Sequence, residues 1–137
     1  MRFIVTPAPS ESEIADIRSH LRQYNQQFVQ CGHVESLAIF AMSDEGSRTG
    51  ALTSLTWGSW LQIQLQWVSD ECRGQGIGSQ LLSQAEAAAK ERGCLFSLID
   101  TFSFQALPFY LQRGYEIRMT LDNFPEDQQR FYLTREL

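Results

Sequence analysis

Residues 60–78, WLQIQLQWVSDECRGQGIG, change character halfway along. In the first half Leu61, Ile63, Leu65 and Trp67 alternate with Gln62, Gln64 and Gln66, the period of two that marks a half-buried strand. Trp60 falls on the glutamine side. After a loop over 69–75, a helix is expected over 76–92, with Ile77, Leu81, Leu82, Ala85, Ala88 and Ala89 as its buried stripe and Gly93 at its end. A strand, a glycine-rich turn and a helix in that order leave unpaired N–H groups at the positive end of the helix dipole. Glycine at 74, 76 and 78 lets an anion approach the main chain, and Arg73 adds a positive charge. The expected ligand is a diphosphate.

Working outward, residues 2–5 read as a first strand, and Ser10 with Glu13 as a capping box that opens a helix carrying Ile14, Ile17, Leu21 and Phe28 on one face. Strands are expected over 36–42 and 49–57, joined by the turn Asp44-Glu45-Gly46-Ser47 and paired antiparallel. Gly58-Ser59 then leads into the alternating strand. Beyond the central helix come a buried strand over 95–101 and a short helix over 106–113, with Pro108 in its first turn and Gly114 as its C-terminal cap. A closing hairpin pairs 115–121 with 130–137. This order predicts an α/β fold of one domain, 1–137, with a mixed, mostly antiparallel sheet of about six or seven strands flanked by about three or four helices.

The bulk chemistry narrows the partners. Eleven Lys and Arg against sixteen Asp and Glu leave a formal charge of -5, which disfavours nucleic acid and anionic membrane and mildly favours a cationic ligand. Cys31, Cys72 and Cys94 form no CxxC or Cys/His cluster, so no metal is expected and the thiols read as reduced. No signal-peptide pattern or long apolar span is present, and a cytoplasmic location is expected.

The loop lacks the Gly-Lys-Ser/Thr of a nucleotide P-loop, and its glycines do not fall at G-x-G-x-x-G spacing. It resembles instead the acyl-CoA loop of the GNAT superfamily of N-acetyltransferases: Arg or Gln, two residues, Gly, one residue, then Gly or Ala. Arg73, Gly76 and Gly78 stand at those positions. Downstream, Ala106, Phe109, Tyr110, Gly114 and Tyr115 match a second pattern of that superfamily, with Ser103 where it shows Asn. The resemblance extends over nearly the whole chain.

That resemblance implies acetyl-CoA as co-substrate, held by backbone groups at Trp67 and Val68, by the loop residues Arg73, Gly74, Gln75, Gly76, Ile77, Gly78 and Ser79, and by Ser103. It implies that strands 60–68 and 95–101 splay apart around the pantetheine arm. It also implies a bulge in the first of them that aims an N–H at the thioester oxygen. Tyr110 stands where the family has the general acid that protonates the departing thiolate.

Attack needs a neutral amine, and freeing a lysine-like amine of its proton near neutral pH costs about 4 kcal/mol. The family often supplies a Glu on strand 60–68; here Gln62, Gln64 and Gln66 would orient substrate or water instead. Asp100 is the expected base, with Gln62, Gln64 and Trp60 at the acceptor. The expected acceptor is a small-molecule amine, with homodimerisation left open. An acyl-CoA-binding module without turnover and a protein Lys or N-terminal acetyltransferase are the other readings.

Overall fold

The computed structural model describes residues 1–29 and 33–137, so Cys31 lies outside the described residues. The chain divides into two compact units, Met1–Gly32 and His33–Leu137.

The first unit holds α1 (Glu11–Asn25). Its start is fixed by the expected capping box: the Ser10 hydroxyl accepts from the Glu13 amide at 3.1 Å, and the Glu13 carboxylate accepts from the Ser10 amide at 3.2 Å. Residues 2–5, expected as a strand, form none. No strand pairs with them among the described residues, and Pro7 and Pro9 remove donors that a continuing ladder would need.

The second unit is a six-stranded sheet in the order β1-β2-β3-β4-β6-β5. It comprises β1 (Glu35–Met42), β2 (Arg48–Trp57), β3 (Trp60–Val68), β4 (Phe96–Phe102), β5 (Glu116–Asp122) and β6 (Gln129–Glu136). Every neighbouring pair is antiparallel except β3 with β4. That parallel pair is joined by α2 (Ile77–Glu91), as a parallel crossover requires, and α3 (Leu107–Gln112) follows β4.

The core lies under α2, where Leu81, Leu82, Ala85 and Ala89 meet Leu52, Leu61, Ile63, Ile99 and Leu133, all 3% exposed or less. Burying a leucine fully contributes about 1.5–3 kcal/mol, so this cluster anchors α2 and with it the loop at its start. Arg92 at the far end of α2 ties it to the sheet edge through Thr56 Oγ1 at 3.0 Å and the Ser36 carbonyl at 3.1 Å.

Two irregularities of β3 shape the site. Its ladder to β4 covers only Trp60↔Phe96, Leu61↔Ser97 and Gln62↔Leu98, after which the strands part. On its other side Thr53 faces Leu65 while Ser54 faces Ile63, so Gln64 is an extra residue, a bulge. The bulge resets the alternation read from the sequence. Leu61 and Ile63 are buried as expected, but Leu65 (70% exposed) and Trp67 (49%) turn outward, and Gln66 and Val68 turn inward.

Candidate functional site

The loop between β3 and α2 begins with a short 3-10 turn, Asp70–Cys72, and reaches the helix through two left-handed residues, Gly74 (φ 79) and Gly76 (φ 78). L-residues adopt that conformation at a cost of about 1–2 kcal/mol, which accounts for glycine at both places. The turn leaves the amides of Gly74, Gln75, Gly76, Ile77, Gly78 and Ser79 without a protein acceptor among the described residues. Successive free amides at a helix start form an anion-binding concavity.

Arg73 stands at the mouth of this loop, with Nη2 3.1 Å from Oδ1 of Asp70 and Nε donating to the Val68 carbonyl at 3.4 Å. A second cation, Arg113, was not singled out in the sequence. It donates from Nε to Ser79 Oγ at 3.2 Å and from Nη1 to the Phe109 carbonyl at 2.9 Å, and its guanidinium lies 3.6 Å from the centre of the Phe109 ring. The first turn of α2 thus has a positive charge held rigidly beside it.

Tyr110, 6% exposed, is placed by α3 over the gap between β3 and β4. Its ring meets Phe109 and Tyr115 edge-on, with centroids 5.0 and 5.9 Å away. Its hydroxyl donates to Oε1 of Gln66 at 3.1 Å. Burial first, and the negative charge of Asp100 second, push the phenol up to about 12, so it stays protonated at neutral pH.

Asp100 lies on β4 with its Oδ2 accepting from Arg130 Nε at 3.0 Å and Nη2 at 2.7 Å. Arg130 was not foreseen from the sequence, since contacts between side chains of neighbouring strands carry no local signature. Ser103 uses its hydroxyl within the chain: it donates to Gln128 Oε1 at 2.6 Å and accepts from the Gln129 amide at 3.0 Å. It secures the turn after β4 to the start of β6, and a hydrogen bond donated to a cofactor would have to displace the one to Gln128.

The expected acceptor residues separate. Trp60 and Gln62 line an apolar cavity of about 570 Å³ with Leu55, Trp57, Phe96 and Leu98, at the end of the sheet where β3 and β4 are still paired. Gln62 is about 13 Å along the strand from Gln66, so this cavity stands apart from Tyr110. Gln64 is the bulged residue. Trp67 and Val68 end β3 beside the loop, and from Ile63 onward their strand has no partner on the β4 side. The groups brought together are therefore the free amides of 74–79, Arg73, Arg113, the unpaired edge of β3, Tyr110 and Gln66.

Comparison with known proteins accords with this arrangement. The acetyltransferase (GNAT) domain family matches residues 35–117. The chain is 35% identical over 105 residues to a blasticidin-S acetyltransferase of Streptomyces morookaense, covering 76% of this chain and 77% of that one. It is 38% identical over 116 residues to an acetyltransferase of Agrobacterium fabrum, covering 84% of each. The crystal structure of an acetyltransferase from Bacillus cereus superposes with a TM-score of 0.84 at 29% identity, covering 98% of each chain. An aminoglycoside 6'-N-acetyltransferase complexed with coenzyme A shares the fold, with a TM-score of 0.67 at 15% identity over 93% of this chain and 81% of that one. The free-amide loop, the parted strands and the buried phenol occur in a chain that belongs to the GNAT family, and it is an acetyltransferase.

Proposed function

We propose that this acetyltransferase moves the acetyl group of acetyl-CoA directly to a primary amine of a small molecule, with Tyr110 as the general acid. The observation that carries the reading is the row of free amides from Gly74 to Ser79 at the open end of the β3/β4 gap, with the protonated Tyr110 phenol beside it. These amides, with Arg73 and Arg113, fit the diphosphate of coenzyme A, and the unpaired edge of β3 near Trp67 and Val68 fits the amide groups of its pantetheine arm. When bound, acetyl-CoA supplies an acyl group activated as a thioester.

The protein's own groups do the rest. The bulge at Gln64 breaks the ladder where a backbone N–H can be spared for the thioester oxygen. Oδ2 of Asp100 is occupied by Arg130, and Oδ1 is the oxygen that takes the amine's proton. Tyr110 donates its proton to the leaving sulfur. The small-molecule acceptor is supported by the similarity to a blasticidin-S acetyltransferase, and the chain's negative charge suits a cationic amine.

A thiol-release assay with acetyl-CoA tests this against a panel of small amines, amino-bearing antibiotics and lysine peptides. Turnover confined to small amines is expected. Coenzyme A binding with no turnover on any of them would make the chain an acyl-CoA-binding module, and turnover on peptides alone would move the acceptor to protein.

A further inference from the structure

Strict alternation along β3 would leave Gln66 beside Gln62 and Gln64, but the bulge at Gln64 turns it to the α2 side. There both ends of its amide are used. Nε2 donates to the Gly78 carbonyl at 2.8 Å, and Oε1 accepts from the Tyr110 hydroxyl at 3.1 Å. Only the nitrogen end can donate to a carbonyl, so the Gly78 bond decides which end faces Tyr110 and presents it with an acceptor. Gly78 makes room for this: a Cβ there would lie 3.3 Å from Gln66 Nε2 and 3.6 Å from the Phe109 ring. The absence of a side chain at 78 thus serves the amide bridge as well as the anion loop.

We infer that Gln66 is a positioning residue for acetyl transfer, fixing the Tyr110 hydroxyl against the first turn of α2 with its proton parked on a neutral acceptor. The inference rests on Tyr110 being the acid. A neutral amide oxygen holds that proton firmly enough to orient it and weakly enough to release it to a sulfur gaining charge. As the carbon–sulfur bond breaks, sulfur keeps the electron pair and Tyr110 passes it the proton. The amine nitrogen has by then bonded to the acyl carbon, and its proton, taken up by Asp100, returns through solvent to the phenolate, so the balance closes. Because the same residue grips the start of α2, the acid and the anion loop keep one fixed spacing.

The test uses the full chain with Gln66→Met, which keeps volume but loses both bonds, and Gln66→Glu, which keeps the acceptor. Gln66→Met should lower kcat roughly ten- to a hundredfold while the dissociation constant for acetyl-CoA, read by calorimetry, moves by less than about threefold. For Gln66→Glu, the ratio of variant to parent kcat should rise as pH falls from about 8 toward about 5, because a protonated carboxyl restores a donor to Gly78 and an acceptor to Tyr110. That rescue is seen within one protein, so it reads the role even if Gln66→Met folds poorly. In a Tyr110→Phe background Gln66→Met should cost nothing further in kcat. A parental kcat in Gln66→Met, a flat ratio across pH in Gln66→Glu, or an equal loss with and without the Tyr110 hydroxyl would overturn the inference. A Tyr110→Phe single variant with full kcat would remove the acid itself and this inference with it, an outcome distinguishable from failure at Gln66 alone.

Discussion

Asp100 on β4 and Arg130 on β6 meet diagonally across the ladder, two positions out of register, with Oδ2 of the carboxylate 2.7 Å from Nη2 and 3.0 Å from Nε of the guanidinium. The guanidinium is also enclosed by aromatic rings, lying 5.2 Å from Phe102, 4.8 Å from Phe124 and 5.1 Å from Tyr132. This holds the carboxylate still, and among the described residues no other protein group bonds to its Oδ1. Asp100→Asn keeps the shape and removes the proposed proton acceptor. It should lower kcat/KM for the amine roughly a hundredfold and leave acetyl-CoA affinity in place. Steady-state kinetics above and below neutrality check this; parental turnover would assign proton removal to solvent.

Tyr110→Phe deletes one oxygen from a packed ring. A general acid contributes roughly a hundredfold or more, so kcat should fall by that amount while calorimetry finds acetyl-CoA bound as in the parent. A proportionate loss of both would reduce Tyr110 to a packing residue.

The phenol of Tyr110 also couples stability to pH. Its folded value near 12 lies above the unfolded value of about 10, because burial and Asp100 disfavour the phenolate. The unfolded chain therefore loses this proton first, and the contribution is whole below about pH 10 and is lost as pH rises toward about 12. Urea midpoints should fall more steeply over this range for the parent than for Tyr110→Phe. Matching slopes would contradict the assignment.

Gly76 has room for a Cβ but a φ of 78, so Gly76→Asp suffers backbone strain and places a carboxylate where the diphosphate is expected. Affinity for acetyl-CoA should drop at least about tenfold, with a smaller loss of about 1–2 kcal/mol in stability. Calorimetry alongside thermal unfolding separates the two.

Behind Tyr110, Ser97, Tyr115, Glu86 and Arg135 form a chain of bonds: Ser97 Oγ to Tyr115 Oη at 2.7 Å, Tyr115 Oη to Glu86 Oε2 at 3.0 Å, and Arg135 Nη1 to both Glu86 oxygens at 2.9 and 2.8 Å. Ser97 is fully buried, so Tyr115→Phe leaves its hydroxyl without this partner and should cost about 1–3 kcal/mol. Denaturant unfolding checks the loss; kcat should be unchanged.

Much of this was legible from residue types, because the physics involved is local. The capping box at Ser10 and Glu13 and the glycine turn at 74–76 depend on neighbours a few positions apart, and each formed as read. The closing hairpin also appeared where expected, and β3 and β4 part as the family resemblance implied. What escaped was set by pairing. The family resemblance implied a bulge in β3 but not its place; at Gln64 it adds a residue without changing the pattern of residue types, so strict alternation puts Gln66 on the wrong face. Phe3, Ile4 and Val5 have strand composition but form no strand among the described residues. Arg113 beside Ser79 and Arg130 beside Asp100 meet their partners across 34 and 30 residues, a distance over which sequence spacing carries no geometry.

The proposed grip of the 74–79 amides on a diphosphate is open to one direct measurement: calorimetric titration of the protein with coenzyme A and, separately, with pantetheine, which lacks the diphosphate and the nucleotide it carries. Charge-assisted bonds to those amides should make coenzyme A bind at least roughly a hundredfold more tightly. Equal affinity for the two ligands, or no heat with either, would contradict the site described for the start of α2.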